Sequence, residues 1–395
     1  MKSSRYAVTR QKACQQCIRT KTKCDRLFGS KICKRCSQKA IECSYAGLPP
    51  SDRSHEADLT NVSLDAVHAT SSVAVPDLEH DIAIETLPTA SPAVGSASTA
   101  LLCPIDADGI RNRWLNAYIP TPQQKPKNYP ASISTLIHRI LKAYTGMAIK
   151  GKALPPFIHF SQALATNMPS PLATCLSLVR MCDNPSAGSE SSLMDVLQRE
   201  MDKLYEWRGT CDHVFLLAAF QAYLLYSMIV FFHFSSGSSA LLRQAMINIQ
   251  ELASATARQG LVCPEELGHA RPVWESWCIA EAKRRTLYTM YLFDSLLSSQ
   301  EGLPTFIGTE LTGLPAPSAR SLWYAQTRQT WEHAYNRALV EWPDVGLRID
   351  ELWPIPPDLD EAGINNRRSR VDRWLEDVDE YGTMMYAVTS CTHGG

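Results

Sequence analysis

The chain has 395 residues and almost no net charge, −1 from 39 Lys and Arg against 40 Asp and Glu, which excludes a uniformly basic or acidic surface. The balance hides a local shortage. Residues 1–47 contain only two acids, Asp25 and Glu42, against 12 Lys and Arg, a formal +10, while residues 48–395 carry 27 basic against 38 acidic residues. Large apolar residues are equally scarce there: between Cys14 and Cys43 they are Ile18, Leu27, Phe28, Ile32 and Ile41. So small a set cannot build a core by itself. Aromatic residues are missing from 46–113, where Ser, Ala, Thr, Pro, Asp and Glu dominate. Such a composition cannot bury enough apolar area to offset the entropy of ordering, so a flexible linker is expected over 48–128. An apolar leader is also lacking, since residues 1–13 are polar and basic. That argues against secretion and against reading the cysteines as a disulfide framework.

What the N-terminus does have is cysteine, spaced Cys14-x2-Cys17-x6-Cys24-x8-Cys33-x2-Cys36-x6-Cys43 in two nearly equal halves. Paired Cys-x-x-Cys units are a specific signal for zinc. Four thiolates close a tetrahedral site and leave no position for water or substrate, which makes the metal structural. Two separate sites would need about eight ligands, so six cysteines around two metals must share two of them. Metal binding free energy then becomes folding free energy, on the order of 10 kcal/mol or more in small zinc peptides. With two Zn²⁺ and six thiolates counted, the segment keeps about +8 of formal charge. A field of that sign suits a polyanion such as double-stranded DNA.

The run Cys17-Ile18-Arg19-Thr20-Lys21-Thr22-Lys23-Cys24 within this spacing resembles the fungal binuclear zinc cluster (Zn2Cys6) transcription factors. The resemblance implies that Cys14 and Cys33 bridge. One zinc would be held by Cys14, Cys17, Cys24 and Cys33 and the other by Cys14, Cys33, Cys36 and Cys43. It places the base-reading side chain at Lys21, where lysine donates to guanine in the major groove. Lys23, Arg19 and Lys12 fall on phosphate-contacting positions. It further implies CGG-type half-sites, RNA polymerase II genes, the transcription machinery as partner, a nuclear location and a possible homodimer. Ile18 and Thr20 stand where the family usually has basic residues, and the loop from Cys24 to Cys33 lacks the common proline, Phe28-Gly29 making the turn instead.

After the cluster no sustained a/d heptad marks a coiled coil. The acidic, aliphatic run 76–85 reads as solvated linker rather than as an activation patch. Helical periodicity begins near Tyr129. Ser238 or Ser239 is expected to cap a helix with the stripe Leu242, Ala245, Met246, Ile249, Leu252 and Ala253, closed by Gly260. A second helix carries Trp274, Trp277, Cys278, Leu287, Tyr288, Tyr291 and Leu292, and a third carries Val371, Trp374, Leu375 and Val378 and is expected to stop at Gly382. The pattern Trp274-x2-Trp277-x3-Glu281-x2-Arg284-Arg285-Thr286, with the later Leu314-Pro-Ala-Pro317-x5-Trp323, looks like the regulatory domain that follows the cluster in regulators of fungal secondary-metabolite genes. Glu281, Arg284 and Arg285 read as an ion pair orienting helices rather than a ligand site. The apolar stretch 214–234 is long enough to span a bilayer, but Gln221, Tyr223 and Tyr226 would sit mid-membrane, so a buried central helix is expected.

Catalytic signals are thin. Gly146-x4-Gly151-Lys152 imitates a phosphate loop, but Ala153 replaces the metal-binding hydroxyl and Pro155-Pro156 block the required helix. Glu266-x2-His269 has no second copy and reads as surface. Cys103, Cys175, Cys182, Cys211, Cys263, Cys278 and Cys391 lack paired spacing and read as small buried or incidental residues. The expected architecture is mostly α: a Zn2Cys6 module over 1–47 with two zinc ions, a disordered linker over 48–128 and an all-α regulatory domain over 129–395. The expected function is a zinc-dependent, sequence-specific DNA-binding transcription factor, not an enzyme and with no membrane partner. Two alternatives are an adaptor that uses the zinc module to bind protein and a regulator switched by a ligand of the helical domain.

Overall fold

In the computed structural model the described residues are 14–20, 22–24, 33–39, 41 and 43, then 100–113, 119, 126–127 and 129–393 apart from 165–167, 187, 210–211 and 235–238. Of the linker expected over 48–128, residues 48–99 lie outside them. The chain divides into two units, 1–89 and 90–395.

In the first unit the described helices are a pair of single turns, α1 (Gln15–Arg19) and α2 (Lys34–Gln38), each opened by a cysteine, Cys14 and Cys33, at its N-cap. The second unit is helical, its described strands being two residues each. Its longer helices are α4 (Ala131–Ile149), α6 (Glu190–Glu206), α7 (His213–His233), α8 (Ser239–Arg258), α10 (Trp274–Gln300), α12 (Arg328–Glu341), α13 (Glu361–Asp377) and α14 (Glu380–His393). Shorter helices are α3 (Ala107–Arg111), α5 (Ser170–Leu178), α9 (Pro264–Leu267) and α11 (Arg320–Trp323). Strands β1 (Pro126–Lys127) and β2 (Thr305–Phe306) pair antiparallel.

The α7 helix is apolar on every side because helices surround it: α4, α5, α6, α8 and α10 all pack on it, and residues 216–230 are buried. By length and composition it is apolar enough to cross a membrane, yet it is mostly buried, and Gln221, Tyr223 and Ser227 find partners inside the protein. Gln221 donates to the Phe157 carbonyl at 2.9 Å and accepts from Gln162 at 3.1 Å, and Ser227 donates to the Tyr223 carbonyl at 2.9 Å. Asp212 caps the helix through the amides of Val214 and Phe215.

The stripe expected on α8 is buried from Ala245 to Ala253, and Gly260 follows with φ +93°. A Cβ at Gly260 would lie 2.3 Å from that of Leu101, so only glycine admits the segment in which Leu102 bridges to Val262. That segment, residues 100–113, falls within the stretch expected to be linker, and it is packed on the helical unit. Ala107 and Ile110 of α3 are buried in it, and a paired arginine fixes its end. Arg113 is 5% exposed and donates to Asp294 at 2.9 Å, to Glu310 at 3.0 Å and to the Phe306 carbonyl at 2.9 Å, with its guanidinium 4.2 Å from the Tyr291 ring centre. Ile110, the Leu102 backbone bonds and this paired arginine together hold a segment that has no aromatics.

The expected stop at Gly382 is overturned. Helix α13 ends at Asp377, Val378 is extended and bridges to Ala319, and α14 starts at Glu380, so Gly382 lies inside a helix. A Cβ there would lie 2.0 Å from Val378 Cγ2, so this glycine serves close packing of the corner rather than termination. Asp379 turns the corner by accepting from the Gly382 amide at 3.0 Å.

The two motifs read separately in the sequence meet around one buried ion network. Glu281 accepts from Arg284 at 2.8 Å, from Arg285 at 2.8 Å and from the Ser318 amide at 2.9 Å. Arg284 also forks onto Glu266 at 3.1 and 3.2 Å, and Arg285 reaches Asp379 at 2.6 Å with its guanidinium 4.2 Å from the Trp323 ring centre. Burial would raise the Glu281 carboxyl, but Arg284, Arg285 and the Ser318 amide reverse it and hold it at about 2. Glu266 is therefore an ion-pair partner, not the plain surface residue its spacing implied. The apparent phosphate loop is absorbed too: Gly146 lies within α4, and Gly151, at φ +58°, follows its end.

Candidate metal centre and nucleic-acid interface

The first unit is built twice. Cys14 Sγ accepts from the Cys17 amide at 3.4 Å and Cys33 Sγ from the Cys36 amide at 3.4 Å. The Cys14 amide donates to Cys24 Sγ at 3.4 Å and the Cys33 amide to Cys43 Sγ at 3.3 Å. Thr22 N bonds Cys17 O, and Ile41 N bonds Cys36 O, both at 3.0 Å. Each half is thus a cysteine-capped helical turn followed by a return that delivers a third sulfur.

The six sulfurs converge. Cys14, Cys17, Cys24 and Cys33 form one group whose ligand atoms lie within 4.8 Å of one another, and Cys14, Cys33, Cys36 and Cys43 form a second. Sγ separations are 3.8 Å for Cys14–Cys33, Cys14–Cys36 and Cys17–Cys33. A tetrahedron with Zn–S near 2.3 Å has edges of about 3.8 Å, so the groups fit zinc. They do not fit disulfides, whose sulfurs lie about 2.05 Å apart, and all six are free cysteines. The two groups share Cys14 and Cys33, the arrangement that six ligands around two metals require. Cys14, Cys17, Cys33 and Cys36 are buried, so the sulfurs stand in for the apolar core this segment lacks. The amide of Cys36 lowers the Cys33 thiol, while burial raises those of Cys14 and Cys36.

Of the residues expected at the nucleic-acid face, Arg19 is exposed in the last turn of α1 and Lys23 is exposed just beyond it. Lys12 and Lys21 lie outside the described residues. Ile18 is 60% exposed. The sequence reading missed Arg35. It reaches from α2 to the first half, where its guanidinium donates to Thr20 Oγ1 at 2.5 Å and to Thr22 Oγ1. Thr20 in turn donates to the Gln16 carbonyl at 2.9 Å. A residue that looked like an absent phosphate contact is instead an acceptor joining the halves. No one-dimensional signal marks it, because Thr20 and Arg35 meet only after both halves close.

Residues 12–51 match the fungal Zn(2)-Cys(6) binuclear cluster domain. Over 360 residues the chain is 26% identical to Transcription factor gsfR2 of Penicillium aethiopicum, a similarity covering 82% of this chain and 84% of that protein. No solved structure matches the chain. The N-terminal unit is a Zn2Cys6 module and binds two zinc ions.

Proposed function

With a Zn2Cys6 module at its N-terminus the protein is a DNA-binding transcription factor, and we propose that it reads CGG-type half-sites through Lys21 at genes of a biosynthetic cluster. The observation that carries this reading is the closed sulfur cage beside exposed basic residues where α1 ends, in a segment of formal charge +10. A cage without an open coordination position holds shape and does no chemistry. The charge draws the DNA backbone, and lysine is a side chain that can donate to guanine edges in the major groove.

On this reading Cys14 and Cys33 bridge the metals, Lys23, Arg19 and Lys12 contact phosphate, and the protein acts in the nucleus on genes transcribed by RNA polymerase II. The module spans 1–47. The regulatory body takes in residue 100 onward, earlier than the 129 read from periodicity, because Arg113 ties that segment to Asp294 and Glu310. Similarity to a fungal transcription factor over most of both chains supports regulation as the role of the whole chain rather than of the module alone.

Binding titrations over a salt series, on matched CGG and scrambled duplexes, test the reading. Lys21→Ala should cost about 1–3 kcal/mol on the CGG duplex and much less on the scrambled one. Lys23→Ala should weaken both alike and make the slope of log affinity against log salt shallower by about one unit. Equal losses for Lys21→Ala on both duplexes would move Lys21 to the backbone and leave the base reader unassigned.

A further inference from the structure

On the helical unit, a cavity of about 160 Å³ opens between α10, α12, α13 and the chain around 315–319. Its walls are aromatic and aliphatic: Trp277, Tyr335, Leu339, Trp342 and Trp374. Three of these walls have their own supports. Trp277 packs on Trp331 with ring centres 5.4 Å apart, Trp374 spends its indole N–H on the Pro317 carbonyl at 2.8 Å, and the Arg370 and Arg373 guanidiniums lie 5.2 and 5.5 Å from the Trp342 ring centre.

One polar group in the lining lacks a partner. Ser318 has its amide bonded to Glu281 at 2.9 Å and its carbonyl to Arg285 at 3.3 Å, so its backbone is fixed by the buried ion network. Its hydroxyl is buried without a hydrogen bond. A buried hydroxyl left unpaired costs free energy that a bound acceptor or donor would recover.

Charge around the cavity selects the ligand. Glu266, Asp344 and Asp377 line it, while Arg284, the cation in its lining, is already committed to Glu266, Glu281 and the Leu261 carbonyl. An anion would meet three carboxylates, and against them only the exposed His269 at the edge of the lining, since Arg284 is already paired. As to size, an apolar cavity of about 150 Å³ is known to admit benzene. We propose that this cavity binds an uncharged, planar aromatic small molecule of one or two fused rings, through a hydroxyl or carbonyl that pairs with Ser318. Nothing in this assignment depends on how the zinc module reads DNA.

The test is calorimetric titration of the zinc-loaded full-length protein with 2-naphthol, naphthalene and 2-naphthoate, with thermal melting alongside. Saturable 1:1 binding of 2-naphthol with a raised melting temperature is expected, and 2-naphthoate should bind about tenfold more weakly. Ser318→Ala should weaken 2-naphthol about fivefold and leave naphthalene unchanged. Ala338→Leu, which fills the cavity from α12, should weaken both neutral ligands about tenfold. Should that variant lose the parent's circular dichroism, Trp342→Ala serves instead, removing a wall at the mouth with the same expected loss. The proposal is overturned if 2-naphthol shows no saturable binding, if 2-naphthoate binds as tightly, if Ser318→Ala weakens naphthol and naphthalene equally, or if the folded cavity variant binds both like the parent.

Discussion

The zinc module and the helical body solve the same problem with opposite means. In the module the buried groups among the described residues are cysteines, the helices are five residues long, and exposed Ile18 and Ile41 contribute little burial. In the body a 27-residue helix, α10, is buried along most of its length, and even its Glu281, Lys283, Arg284 and Arg285 lie inside. A short segment with few apolar residues draws its stability from a ligand outside the chain. A long one can bury charges, provided each meets its partner. The two should therefore fail under different insults.

The largest expected effect is metal removal. Chelation should unfold the module and abolish DNA binding, a change on the order of 10 kcal/mol, while circular dichroism from the body stays near its starting value. Elemental analysis sharpens this. The parent should hold two zincs, Cys14→Ser or Cys33→Ser should release both, and Cys17→Ser or Cys43→Ser only one. A parent with a single zinc would end the binuclear assignment.

Next comes the body's network. Arg285→Met leaves Glu281 and Asp379 buried with one partner fewer, and should lower the body's stability in urea by about 3–5 kcal/mol with zinc content unchanged. The exposed Arg328–Glu275 pair gives the control, since solvent screens it and Arg328→Ala should leave the urea midpoint close to the parent's. A loss for Arg285→Met no larger than the control would show that the network adds nothing beyond a surface pair.

Acid should separate the halves by another route. His159 is 1% exposed; burial lowers its pKa to about 4 from an ordinary 6.5. Its ring sits neutral between the Trp323 carbonyl at 3.0 Å and Ser161 at 2.7 Å. Between pH 6.5 and 4 the unfolded chain takes up a proton that the folded chain does not, so stability falls as pH is lowered through that window, by up to about 3 kcal/mol. Urea titrations at pH 7 and pH 4 should show a larger loss in the parent than in His159→Asn, where His213 and His233, both lowered by burial, still contribute. Equal pH dependence in the two would place the acid sensitivity elsewhere. Glu281, held at about 2, adds its own loss only as pH falls below about 4.5.

How legible each half was follows from where its constraint lies. The cage was readable because zinc imposes spacing along the chain, and each Cys-x-x-Cys pair folds into one helical turn. The α8 stripe was readable for the same local reason. Arg113 with Asp294 and Glu310, and Arg285 with Asp379, were not, because the partners are about a hundred or more residues apart and no local pattern announces them. Gly382 misled because a glycine that ends a helix and one that admits a close neighbour look alike until Val378 is placed beside it.

The smallest effect tests whether the module has any polar core of its own. Arg35 is a cross-link between the halves that needs no metal, through Thr20 and Thr22. These groups are largely exposed, so the bonds exchange with water and should be worth about 1 kcal/mol or less. Arg35→Ala should therefore retain both zincs and weaken zinc binding by less than about tenfold, as read by competition with a chromophoric chelator. Thr20→Val and Thr22→Val should do less still, since each leaves Arg35 one of its two acceptors. If Arg35→Ala instead released a zinc, the module would depend on a side-chain bridge as well as on metal, and its contrast with the ion-paired body would narrow to one of degree.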